Sequence, residues 1–394
     1  MSGNWGAEAE QEARSWIGEY GLPDFVYKPR RSGGREISDG IVAVADRGLI
    51  LETKAREPQR VDSPEVARRW LDNRISKAIQ QIQISRELLS QENDIVFRSY
   101  RSDPESSHSQ GSYYKRQFPS HMHWQGVVLI EHDNLPDGYT PALQEYIAIM
   151  TVSDWQALCY RLRSAFHVIE YVRRVIESSL SCALGDEHSR YGNFVLADSD
   201  SAEQLGGSPM LPNANVGRDD IAYLEMVLEW VHEDFTHREE NAPLSWQSSD
   251  EYRLLAEQVD KLPVHTKVKF GKGMCRIIEK ASEQGHTAVT KLIPSGDQAR
   301  FIFFADSMFN WPDADSLTAH LFALTAVRHE ELKQAIPDNP QPTLLLARLA
   351  GGHEGEVRRT YCFIDGRDDL GVPEEVRDAI TRRYGELNLP MQPG

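Results

Sequence analysis

Apolar positions along the first 150 residues recur with two different periods, and the switches between them mark out the elements. Trp16, Ile17 and Tyr20 stand at helical spacing just ahead of Gly21-Leu22-Pro23, which predicts a helix over residues 7–20 with a glycine–proline stop. Phe25-Val26-Tyr27 reads as a short strand. Ile41–Val44 and Leu49–Thr53 read as two more, joined by a tight turn at Asp46-Arg47-Gly48. From 64 to 89 the helical period returns, with Leu71, Ile75, Ala78, Ile82 and Leu89 forming one stripe. Ser63-Pro64-Glu65 supplies a capping hydroxyl and a proline at the first helical position. Residues 98–120 are polar, rich in serine and without apolar period, and predict a flexible surface loop. Gly126–Glu131 and Tyr146–Val152 are strand patterns, and Ser153-Asp154 opens a long helix predicted to reach about Leu180.

Beyond that helix, residues 184–216 gather Gly, Ser, Asp, Pro and Asn and predict a linker or large loop, followed by a helix over about 219–236. From about 249 the order reads helix, helix, strand, strand, helix, strand, strand, helix. The strands fall near Ala288–Ile293, Arg300–Phe304, Thr343–Ala350 and Val357–Ile364. No repeat at a solenoid period is present. The expectation is an α/β (α+β) chain of two or three domains. Residues 1–153 would form a mixed sheet flanked by helices. Residues 154–245 would be a helical connecting region with a flexible loop at 184–216, and 246–394 a C-terminal α+β domain.

Charge sharpens this division. The net charge of −17 argues against a protein that coats nucleic acid nonspecifically, since phosphate binding needs clustered Lys and Arg. Residues 1–90, however, hold 14 basic and 14 acidic side chains and balance, so the remaining 304 residues carry the whole excess. A basic cluster, Lys28, Arg30, Arg31 and Arg35, lies in a glycine-containing stretch just before Asp39. Nucleic-acid contact is therefore expected in the N-terminal part, and the acidic remainder suits a protein partner. No stretch approaches the roughly 18 unbroken apolar residues of a membrane span, and no basic start precedes an apolar run. The four cysteines are scattered without a C-x-x-C pair, which suits reduced thiols and a cytoplasmic setting.

The chemistry concentrates in Arg35-Glu36-Ile37-Ser38-Asp39-Gly40-Ile41 and Leu51-Glu52-Thr53-Lys54. Side chains alternate along a strand, so Glu52 and Lys54 emerge on one face, and Asp39 starts the neighbouring strand. Two converging carboxylates make a hard-oxygen site suited to Mg²⁺ or Mn²⁺, with a lysine placed to orient water or neutralise a phosphate. The flanks Val42, Val44, Ile50 and Leu51 are apolar, so these charges sit on buried strands, where unpaired ions are costly.

At these residues the chain resembles the PD-(D/E)XK nuclease superfamily, whose motif is an Asp opening one strand and (D/E)-x-K on the next. Asp39 and Glu52-Thr53-Lys54 match it, with Ser38 where the family has Pro, and the element order matches over about residues 7–131. The resemblance implies a restriction-endonuclease-like domain with Asp39 and Glu52 holding Mg²⁺ (or Mn²⁺) and Lys54 acting beside them. It also implies a further carboxylate from the first helix, for which Glu8, Glu10, Glu12 and Glu19 are all candidates. Glu36, three residues before Asp39, is an alternative. A polar residue on the following helix is expected near the site, and Arg74, Lys77 and Gln81 share one face, with Gln81 or Lys77 favoured.

Other signals carry less. His121-Met122-His123 puts two histidines on one strand face, without the further ligands a metal site needs. Arg328-His329-Glu330-Glu331 lacks the second histidine of a zinc-protease helix, and no phosphate-binding P-loop is present. Gly206-Gly207-Ser208 precedes Pro209 and is no nucleophile elbow. Trp155, Leu158, Leu162, Phe166 and Ile169 form a core stripe. The leading expectation is a Mg²⁺-dependent nuclease acting on DNA, in bacterial defence or DNA repair. The second is a catalytically silent nuclease-fold scaffold that binds a protein partner through its acidic remainder.

Overall fold

A computed structural model describes residues 5–22, 25–29, 37–57, 63–91, 95–99, 113–116, 118, 121–178, 180–205, 211–212, 216–236, 249–284, 287–292, 299–306, 314–335, 341–350 and 357–385. The chain divides into two compact units, Met1–Val216 and Gly217–Gly394. Both are mixtures of helix and mixed sheet, as the sequence pattern predicts.

The first unit is built on a seven-stranded sheet of order β5-β4-β1-β2-β3-β6-β7. Its central strands are β1 (Val26–Pro29), β2 (Gly40–Val44), β3 (Arg47–Ala55), β6 (His123–Glu131) and β7 (Ile147–Thr151). β1, β2 and β3 form an antiparallel meander, whereas β6 and β7 run parallel to β3. The β2–β3 turn is tighter than the sequence implies. Val44 pairs with Arg47, leaving only Ala45-Asp46 between the strands, with Ala45 at φ 53. Gly48 is required next to it, because the Trp124 ring lies where a Cβ would stand, at 2.2 Å.

Helix α2 (Pro64–Gln91) covers one face with the expected stripe: Leu71, Ile75, Ala78, Ile82 and Leu89 pack on Ile41, Ile50, Val128 and Ile147. Ile82 sits so close that a Cβ on Gly126 of β6 would come within 2.6 Å of its methyl group. Helix α1 (Trp5–Tyr20) serves the other face, where Arg14 lies against Gly40 and Leu51 lies alongside. It is tied to α3 (Val152–Leu162) by the Trp155 indole N–H, which donates to the Ala13 carbonyl at 2.8 Å.

Three expectations need correction. The helix predicted from Ser153 to about Leu180 is two helices, α3 and α4 (Ala165–Ser178). Arg163 adopts a left-handed conformation (φ 49, ψ 38) and closes α3, its guanidinium stacked between Tyr20 and Tyr160. Those stacking contacts offset a conformation disfavoured for a residue with a Cβ. The stretch 184–216 holds a 19-residue helix, α5 (Glu187–Leu205), fixed to α4 by the Tyr171 hydroxyl on Glu187 and by Arg174 on Asp198. Of the stretch 98–120, residues 98–99 belong to β4 (Ile95–Ser99) and 113–116 to β5 (Tyr113–Arg116), which pair with each other, while 100–112 lie outside the described residues. The expected connecting region is thus divided: α3–α5 belong to the first unit and α6 (Arg218–Thr236) to the second.

In the second unit, α7 (Ser249–Asp260), α8 (Val264–Gln284), β8 (Ala288–Leu292), β9 (Arg300–Asp306), α9 (Ala314–Ala335), β10 (Thr343–Ala350), β11 (Val357–Ile364) and α10 (Glu374–Tyr384) follow in the predicted order. The sheet runs β11-β10-β9-β8, with β9 and β10 parallel across α9. His329, on the zinc-protease-like segment, is a buried structural histidine between the Thr343 hydroxyl and the Asp368 carbonyl. Among the described residues no helix is long and apolar enough to cross a membrane.

Candidate active site

The β2–β3 ladder delivers the predicted residues. Gly40 pairs with Leu51 and Ile41 with Ile50, so one step further along Asp39 stands across from Glu52. Ile41 and Ile50 belong to the core under α2, and alternation puts Asp39, Glu52 and Lys54 on that same face. The Thr53 amide donates to Asp39 Oδ2 at 2.7 Å, fixing the carboxylate against β3. Lys54 Nζ lies 2.9 Å from Glu52 Oε2 and 4.0 Å from Asp39 Oδ2, bridging the two acids. The predicted three residues are one cluster.

Its electrostatics are unbalanced toward negative charge. Glu52 is only 2% exposed. Burial first, and the Asp39 carboxylate second, raise its carboxyl to about 7, against the opposing pull of Lys54. Desolvation and a like charge act together here, an arrangement found at functional sites.

Helix α1 contributes two groups that the apolar pattern did not single out. Of the four first-helix acids, Glu8, Glu12 and Glu19 are exposed, whereas Glu10 is half-buried and its charge adds to the rise at Glu52. Arg14, one turn on, is 7% exposed and its guanidinium donates to the Asp39 carbonyl. Its stem occupies the space over Gly40, where a Cβ would meet it at 2.9 Å. The signal was present: an arginine beside Ala13 on a helix whose buried positions include Ala9, Ala13 and Ile17.

Gln81 of α2 lies beside the segment leading to Asp39. The Ser85 hydroxyl sits between the Gln81 carbonyl (2.9 Å) and the Ile37 carbonyl. The Gln81 amide oxygen is buried with no hydrogen-bond partner among the described residues, so it is poised to receive a donor. Lys77 is exposed on α2 and Lys28 exposed on β1. Glu36, Arg30, Arg31 and Arg35 lie outside the described residues, as does Gly206-Gly207-Ser208. His121 and His123 are both exposed.

The donor set fits a hard divalent cation. Asp39 and Glu52 offer carboxylate oxygens, Glu10 adds negative charge nearby, and the raised Glu52 carboxyl marks a place where positive charge is under-supplied. Among the described residues no group of three or more His, Cys, Asp or Glu side chains that could hold a metal ion is formed. A cavity of about 290 Å³ lies elsewhere, against β7, with Ile147, Ile149, Val175 and Arg190 in its lining. There Arg190 is already engaged with Glu187, so the cavity adds no chemistry to the carboxylate pair. No protein-family model, curated protein or solved structure matches this chain, so its own residues carry the functional reading.

Proposed function

We propose that the first unit is a metal-dependent nuclease that hydrolyses phosphodiester bonds, with DNA the favoured substrate and Asp39, Glu52 and Lys54 at its centre. The observation that carries this reading is the buried carboxylate pair bridged by Lys54, with Glu52 raised to about 7. A scaffold has no physical need to hold two acids together at that cost. Asp39 and Glu52 would hold Mg²⁺ or Mn²⁺, and the Glu10 charge on α1 adds to the negative potential at Glu52. When bound, the ion supplies Lewis acidity toward a phosphate oxygen and acidifies water. Lys54 orients the attacking water and offsets charge that builds on the phosphate. Arg14 and the Thr53 amide hold Asp39 in place, a positioning role. The Gln81 amide oxygen can accept a hydrogen bond from a water in the site. The balanced charge of residues 1–90, against the acidic remainder, favours the N-terminal part of the first unit as the place where nucleic acid binds.

Single-turnover cleavage of labelled oligonucleotides tests the assignment. Asp39→Asn, Glu52→Ala and Lys54→Ala should each lower the rate by about a hundredfold or more while circular dichroism stays unchanged. Wild-type rates in all three would remove the site from the chemistry. Metal binding by a wild type that cuts nothing would favour the scaffold reading.

A further inference from the structure

The strand that carries Glu52 and Lys54 continues one pleat further, to a cluster that the proposed chemistry does not use. The Arg56 amide donates to the Glu131 carbonyl at 2.9 Å, which extends the β3–β6 ladder past Ala55. The Arg56 guanidinium lies 5.0 Å from the centre of the Trp70 ring on α2, which places it on the same face as Lys54. Arg74, one helical turn after Trp70, stacks on the same indole at 5.9 Å. His132 meets that indole edge-on at 5.4 Å, and burial followed by the Arg56 charge holds its imidazole below the usual value. Trp70 is itself packed against the core under α2. Two guanidinium groups are therefore held by one anchored aromatic side chain.

Three features give this cluster a direction. Arg56 follows Lys54 by two residues, a spacing of roughly 6.6 Å along a strand, comparable to the separation of adjacent phosphates on an extended nucleic-acid strand. Stacking on an indole limits guanidinium motion, so less entropy is lost when its N–H groups meet an anion, and the planar fork matches phosphate oxygens. Glu131, the acid on the adjoining strand, points away. Glu131 pairs with Ala55, which alternation turns to the α1 face, and its carboxyl is raised by burial and then by Glu12 of α1. Glu131 and Glu12 thus lie across the sheet from the two arginines.

We propose that Arg56 and Arg74, organised by Trp70, grip the phosphodiester next to the one cleaved at Lys54, and so set the register of a nucleic-acid strand across the site. This rests on the nuclease reading above and adds to it a binding subsite for the backbone.

The test is cleavage and binding of a fluorescein-labelled DNA oligonucleotide by the full chain. Arg56→Gln with Arg74→Gln should raise KM about tenfold, the equivalent of one charge-assisted contact or more, and leave kcat within about twofold. The slope of log affinity against log salt should fall by about 1.4 to 1.8, the value for two lost phosphate contacts. Trp70→Phe should keep most of the affinity, and Trp70→Leu should lose it with both arginines still present. That last result separates the stack from simple net charge. An unchanged KM and slope in the double variant, with wild-type cleavage intact, overturns the subsite and leaves the nuclease reading standing. A wild type that neither cuts nor binds the oligonucleotide overturns both. Preferential capture of an acidic peptide such as poly-glutamate, lost in the same variants, would show that the pair serves a protein ligand and also overturns it.

Discussion

Replacing Glu52 by Gln should stabilise the metal-free first unit at neutral and alkaline pH, and only there. Burial and the Asp39 charge raise the folded-state carboxyl to about 7, against an ordinary value of 4.5. Between those values the native state binds more protons than the unfolded chain, so the contribution of Glu52 to stability falls as pH rises from 4.5 and is fully lost above about 7. A gap of about 2.5 units, at roughly 1.4 kcal/mol per unit, corresponds to about 3 kcal/mol. Glutamine keeps the shape and a carbonyl oxygen for Lys54 but carries no charge. The variant and wild type should therefore match near pH 4.5 to 5 in chelator, and diverge to about 3 kcal/mol in favour of Gln above pH 7. Urea denaturation by tryptophan fluorescence, repeated across pH 5 to 9 in EDTA, measures the difference, and subtracting variant from wild type at each pH isolates this residue. A gap below about 1 kcal/mol at pH 8, or one independent of pH, would refute the reasoning.

Mg²⁺ should reverse that order. At a hundredfold excess over its dissociation constant it should add about 2.7 kcal/mol to wild type and far less to Glu52→Gln, read as melting temperatures. Chelation should abolish cleavage and leave the purified metal-free protein folded, and a melting transition that disappears in EDTA would instead indicate a structural metal. Neutralising Lys28, Arg30, Arg31 and Arg35 together should weaken binding to all nucleic-acid sequences and flatten its salt dependence, because counterion-releasing contacts are lost. An unchanged slope would place the backbone contact elsewhere. Gly48→Ala should destabilise the first unit by about 2 to 4 kcal/mol, since its Cβ would stand within 2.2 Å of the Trp124 ring, and a neutral effect in chemical denaturation would contradict that packing.

Elements with a strong period were legible in the sequence. The stripe Leu71 to Leu89 and the alternation around Ile41, Ile50, Glu52 and Lys54 each follow from one face meeting a core, so residue spacing alone recovers them. What was hidden depends on tertiary partners. Arg163 ends α3 without a glycine or proline, because two tyrosines stack on it. Helix α5 lay within a composition typical of loops, yet Tyr191, Phe194 and Val195 were spaced for a helical stripe, and all three are buried. Strands β4 and β5 are five and four residues long and pair mainly with each other and with β1, which leaves little local pattern. In the site, Asp39, Glu52 and Lys54 are close in sequence and were readable. Glu10 and Arg14 reach it from α1, and how that helix seats on the sheet is set by contacts such as Trp155 with Ala13, 142 positions apart.

The central claim is that a metal held at Asp39 and Glu52, with Lys54 beside it, cuts phosphodiester bonds. Its most direct test is a time course of the full chain with single- and double-stranded DNA and RNA, in Mg²⁺, in Mn²⁺ and in EDTA, alongside Lys54→Ala. The account predicts cleavage of at least one substrate, DNA before RNA, that requires the divalent ion and is lost in Lys54→Ala. Products that form equally in EDTA, or in Lys54→Ala at the wild-type rate, would contradict it.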